Sequence, residues 1–134
     1  MHIDFKEATI KGIAPDKGVY FPEYIPPADK KIIRDIENYS NAEIAYNVIY
    51  PYVGDSIPAD ELKRIAAEAI DFDIPLVKLS DNIFSLQLYH GPTLAFKDIG
   101  ARFMSRCLGY FAKEIKQKVI VLVATSGDTG GAVA

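Results

Sequence analysis

Apolar positions along the chain change their period near residue 74. Before it they recur at helical spacing, and after it they form short alternating or continuous runs. A first helix is predicted from near Asp4 to Lys11, with Gly12 as its stop. Ala14-Pro15-Asp16-Lys17-Gly18 reads as a turn, because proline presets φ and glycine accepts a positive one. A second helix is predicted over Asp29–Ile36, with Ile32, Ile33 and Ile36 on one face. Ser40 is an N-cap for a third helix, which carries Ile44, Ala45 and Val48 and is closed by Pro51. Pro58 opens a fourth, with Leu62, Ile65, Ala66, Ala69 and Ile70 inside and Glu61, Lys63, Arg64 and Glu68 outside.

Two strand-like runs follow, Leu76–Leu79 and Ile83–Leu88, separated by Ser80-Asp81-Asn82, which predicts a β-hairpin. His90-Gly91-Pro92-Thr93 breaks the second run. A helix is then expected from about Phe96 to Ile115, because Ile99, Phe103, Cys107, Phe111 and Ile115 form one stripe. Residues 118–124 are almost continuously apolar, the mark of a strand buried on both faces of a parallel sheet. The fold class is therefore α/β: a mainly helical region over 1–74, then a hairpin and the start of a parallel βαβ sheet over 75–134. Ala132-Val133-Ala134 resembles the opening of a further helix, so the pattern predicts a piece of a longer protein.

Composition narrows the function classes. A formal net charge of -3 and an absence of basic runs argue against nucleic acid or anionic lipid as a partner. No apolar stretch is long enough to span a bilayer, and the acidic N-terminus does not suit a signal peptide, so a cytoplasmic protein is expected. The single cysteine, Cys107, falls on an apolar stripe and reads as core. Tyr46, Tyr50 and Tyr52 read as packing, and no cluster has the spacing of metal ligands.

Two segments carry candidate chemistry, both placed after strands, where α/β proteins put their sites. In His90-Gly-Pro-Thr-Leu-Ala-Phe-Lys-Asp98, Lys97 stands at a helix start, where the macrodipole opposes its charge. Phe96 and Ile99 flank it and favour the neutral, nucleophilic amine. The bland alternative is a solvated lysine paired with Asp98. His90 could polarise a group near the lysine or serve the loop alone. A phosphate-binding loop fails, since Phe96 replaces its second glycine and Asp98 its hydroxyl. The second segment, Thr125-Ser126-Gly127-Asp128-Thr129-Gly130-Gly131, leaves a strand and enters a helix, exposing backbone N–H groups and hydroxyls to an anion. Its spacing does not fit the dinucleotide fingerprint. Asp128 disfavours a phosphate there and suits a hydrogen bond from a hydroxyl. A plain tight turn, with Asp128 or Thr129 as the N-cap, is the open alternative.

These two segments resemble the cofactor-lysine motif and the following loop of threonine synthases. Lys11-Gly-Ile-Ala-Pro-Asp-Lys-Gly-Val-Tyr-Phe-Pro-Glu23 and Pro75-Leu-Val-Lys-Leu-Ser-Asp-Asn82 are similar to further signatures of that family, in the same order. The resemblance implies a fold type II pyridoxal-phosphate enzyme that converts O-phospho-L-homoserine and water to L-threonine and phosphate. Lys97 would carry the cofactor as an internal aldimine and shuttle a proton. Phe96 would shape the ring site, and Asp128 would lie near the ring hydroxyl. Thr125, Ser126, Gly127 and Thr129 would serve the substrate carboxylate. The cofactor-phosphate cup and the partner of the pyridine nitrogen would lie beyond Ala134, so residues 1–134 alone are expected to be inactive. Two alternatives stay open: a related phospho-lyase giving a 2-oxo acid, and a non-catalytic interaction module.

Overall fold

A computed structural model describes residues 2–114 and 118–134. Helix α1, Phe5–Lys11, begins on Asp4, whose carboxylate accepts from the Glu7 amide at 2.7 Å, and ends at Gly12 with φ 69°. Helix α2 is Lys30–Arg34 and is shorter than expected. Asp29 is its cap rather than its first residue, and Ile36–Asn38 forms a separate 3₁₀ turn. Helix α3, Asn41–Val53, starts in a capping box: Ser40 and Glu43 satisfy each other's backbone N–H groups. It passes through Pro51 and stops at Gly54, so the expected closure at Pro51 is corrected. A proline costs a helix one N–H bond, but in the last turn the chain can still close on Gly54, whose N–H bonds Tyr50. After a 3₁₀ turn at Gly54–Ser56, helix α4 occupies Ala59–Ala69.

Strands β1, Leu76–Ser80, and β2, Ile83–Leu86, pair antiparallel, with Leu76 opposite Leu86 and an irregularity at Leu79. The second strand ends before the expected Leu88, although the Gln87 amide still donates to the Pro75 carbonyl at 3.0 Å. Helix α5, Asp98–Ala112, begins two residues later than expected, and its expected end at Ile115 lies outside the described residues. Residues 118–124 form neither helix nor paired strand among the described residues, and Leu122 is 90% exposed. A strand that is apolar on both faces is ordered by neighbours on both sides, and the described residues supply none. Helix α6, Asp128–Val133, packs against α5.

The core joins residues from both sides of position 74. Val53, Ile57, Leu62 and Ile65 from α3, α4 and their connection enclose Cys107 and Phe111 of α5. Phe5 of α1 closes it, meeting Phe111 edge-on with centroids 6.2 Å apart. The α4 periodicity read from sequence is the buried face observed, with Ile70 half-buried at its end.

Arginines of α5 fix it along α4. Arg102 donates to the Glu68 carbonyl through Nε at 3.2 Å and Nη2 at 2.6 Å, and it also pairs with Asp71. Arg106 Nε reaches the Glu68 carboxylate at 2.8 Å. Arg106, and then Arg64, hold the Glu68 carboxyl below its ordinary range by hydrogen bonding to its charged form. The folded pKa is lowered, so this contribution is full above the ordinary glutamate pKa and is lost as pH falls through the depressed value. Glu68→Gln is therefore expected to flatten the acid limb of stability against pH, and 1 M salt to shrink the difference. Parallel acid limbs in the two proteins would contradict this ion-pair role.

Candidate functional site

The segment carrying Lys97 is a closed turn rather than an open loop. Leu94 N–H donates to the Gly91 carbonyl at 3.1 Å, and Asp98 N–H to the Ala95 carbonyl at 3.0 Å. Between them Leu94 takes φ 58°, a left-handed conformation that costs a branched side chain energy and persists only where its surroundings impose it. Lys97 is the N-cap residue of α5 and offers no side-chain cap. Its Nζ lies 4.4 Å from the centroid of the Phe96 ring, and Phe96 itself is 57% exposed. Ala101 N–H donates to the Lys97 carbonyl at 2.9 Å, the first helical bond of α5.

Asp98 is not the partner of Lys97. It is 1% exposed, and both its oxygens turn back to Thr93, accepting from the Thr93 amide at 3.0 Å and the Thr93 hydroxyl at 2.6 Å. Pairing with Asp98, the bland role open for Lys97, is thus overturned. Among the described residues no carboxylate pairs with this amine. The buried role of Asp98 was missed from sequence. Its available signal was an acid in the first turn of a helix five residues after a hydroxyl, with Gly91 just before. His90 lies exposed, its Nε2 2.9 Å from Gln87 Oε1 and its ring stacked on Tyr89, which makes it a loop residue.

The second segment wraps the start of α6. Gly127 has φ 144°, a backbone open chiefly to glycine, and its N–H donates to the Thr125 hydroxyl at 3.2 Å. Gly127 is the N-cap and Asp128 the first helical residue, with no side-chain cap, so neither Asp128 nor Thr129 performs the capping considered above. Thr125, Ser126, Gly127 and Asp128 are exposed, and Thr129 is half-buried. A Cβ on Gly130 would come within 2.8 Å of the Thr125 methyl, so the loop closes onto α6 only with glycine there. Because α6 packs on α5, both candidate segments belong to one α5–α6 unit, Lys97 at the N-terminus of one helix and the Thr125–Thr129 loop at that of the other. A cavity of about 770 Å³ elsewhere, between α1 and the 14–23 segment, contains none of these residues.

A half-buried lysine beside an exposed aromatic ring, and a glycine-bent loop with hydroxyls and one carboxylate, suit an aldehyde-bearing aromatic cofactor and an amino-acid carboxylate. Residues 1–70 match the family described as threonine synthase N terminus. The chain belongs to the threonine synthase family. A threonine synthase of Serratia marcescens is 36% identical over 132 residues, which cover 98% of this chain and 30% of that protein. The crystal structure of threonine synthase from Escherichia coli superposes with a TM-score of 0.90 at 34% identity, over 98% of this chain and 30% of the other. The crystal structure of a PLP-bound threonine synthase from Brucella melitensis gives 0.89 at 38% identity, over 98% and 29%. The mixed helical and antiparallel architecture is thus that of the N-terminal part of threonine synthases, and the chain spans about three-tenths of the length of these relatives.

Proposed function

We propose that the full-length gene product is a pyridoxal-phosphate-dependent threonine synthase, acting in the cytoplasm on O-phospho-L-homoserine and water to give L-threonine and phosphate. The observation that supports it most is Lys97: an amine at a helix N-terminus whose neighbouring acid is folded away onto Thr93. When bound, the cofactor supplies the electron sink for cleavage of the substrate's carbon–oxygen bond. The chain's own residues hold and orient. Lys97 would hold the cofactor and hold or move a proton at Nζ. Phe96 would help shape the ring site, and Asp128 would be placed to accept a hydrogen bond from a ring hydroxyl. Thr125, Ser126, Gly127 and Thr129 would line the place of the substrate carboxylate with hydroxyls and backbone, where a helix N-terminus favours negative charge.

Two experiments test this. Pyridoxal phosphate is added to the full-length gene product, followed by borohydride reduction, digestion and mass spectrometry. A cofactor mass on the Lys97 peptide is expected, and a folded protein without it would exclude the reading. Product analysis from phosphohomoserine then separates threonine from 2-oxobutyrate, which a phospho-lyase would release. Gly130→Ala is expected to leave the Lys97 label in place but lower kcat/KM roughly 10- to 100-fold, because the displaced Thr125 misorients the substrate. Unchanged kcat/KM would remove the loop from the substrate site.

A further inference from the structure

Among the described residues Asp98 is the only polar or charged side chain in the fully buried set. A buried carboxylate is costly unless hydrogen bonds and local charge offset the lost hydration. Here two donors from one residue, Thr93, meet it, and it stands as the first residue of α5, where the macrodipole favours a negative charge. The fit is close on the other side too: a Cβ on Gly91 would lie 2.5 Å from Asp98 Oδ2 and 2.9 Å from its Cβ. Thr93, Asp98 and Gly91 therefore form a clasp whose ends enclose Leu94, Ala95, Phe96 and Lys97.

We propose that Asp98 is a positioning residue for the cofactor lysine: its carboxylate, clasped by Thr93 against Gly91, fixes the 91–97 turn and withdraws its own charge from Lys97, so that the amine is presented unpaired. The inference rests on the functional reading above. Two physical effects lead to the same place. The clasp holds Leu94 in its left-handed conformation and thereby sets the direction in which the next residues leave the turn. Without the clasp, a carboxylate adjacent in sequence to Lys97 becomes free to meet the ammonium. An ion pair there stabilises the protonated amine, which cannot attack an aldehyde. Asp98 touches neither reacting group and acts only through Lys97.

The test uses the full-length gene product stripped of cofactor and remixed with pyridoxal phosphate. Attachment to Lys97 is followed by visible absorbance and by borohydride trapping with mass identification, across a range of pH. Thr93→Val keeps the shape and the amide donor but loses the hydroxyl donor. It is expected to slow attachment roughly tenfold or more and to move the rate profile to higher pH. Thr93→Ser, which restores a hydroxyl, is expected to recover both. Gly91→Ala, whose methyl displaces the carboxylate, reproduces the Thr93→Val behaviour and serves if the valine variant fails to fold. A merely structural clasp lowers the unfolding temperature without moving the pH profile of the folded protein, and that outcome overturns the proposal. Wild-type protein that takes no label on Lys97 overturns the functional reading and this inference together, whereas a labelled wild type matched by its valine and alanine variants overturns the inference alone.

Discussion

Lys97→Ala in the full-length gene product is expected to lower turnover of O-phospho-L-homoserine by at least about 10³-fold, within the range that a positioned proton-transfer group alone can contribute. The same change removes the covalent anchor, so cofactor binding falls as well. Stability is expected to change little. The side chain of Lys97 meets the Phe96 ring at 4.4 Å, and a cation–π contact at a largely solvated ring is worth about 0.5–1 kcal/mol. Lys97→Arg keeps the charge and the ring contact but has no neutral amine to offer near neutral pH, so it is expected to be as inactive as the alanine variant. Steady-state kinetics with thermal unfolding on the same preparations decides it. Either variant retaining activity within tenfold of wild type would remove Lys97 from the chemistry.

Phe111→Ala carries the largest expected stability loss, about 3–5 kcal/mol, through lost apolar contact and the cavity left behind. Phe111 is 1% exposed and sits where three helices converge. Phe5 of α1 meets its ring edge-on, Tyr110 approaches at 5.6 Å, and Val53, Ile57, Leu62 and Ile65 surround it. The surrounding helices are held by caps and by the α4–α5 ion pairs, so the site cannot collapse onto the void. Phe103→Ala, about two turns earlier on the same helix and half-buried, is expected to cost less, since part of its surface is already hydrated. Urea titration read by pulse proteolysis of the N-terminal region compares the two. A Phe111→Ala loss below about 1 kcal/mol would mean that Phe111 is not the centre of the core.

Local signals were legible wherever residues a few positions apart settle the structure. Asp4, Asp29 and Ser40 cap the helices they were expected to cap or adjoin, Gly12 ends α1, and the α4 stripe is buried as its spacing required. Pro51 misled because its effect depends on its place within the helix: near the end it removes one bond without breaking the turn. Residues 118–124 read as a strand because their composition demands burial, but pairing is supplied by distant chain, which no local pattern contains. At the candidate site the lysine and the glycine loop stood out by composition. Asp98 did not, since an acid beside a lysine looks like a surface ion pair. Only its rotation onto Thr93 separates a buried clasp from that commonplace, and rotamers are set by packing, which the sequence does not display.

Cys107 turns the core into its own clock. Its sulfur is fully enclosed between α3, α4 and α5, and burial pushes the thiol pKa up to about 12, so a thiol reagent meets neither access nor thiolate while the helices stay closed. Alkylation of this one position, read from its peptide mass, therefore advances only during openings of the helical core. In variants such as Phe111→Ala or Glu68→Gln, the labelling rate at Cys107 reports how often the helix that presents Lys97 comes loose from its support, separately from whether the amine at its far end still works.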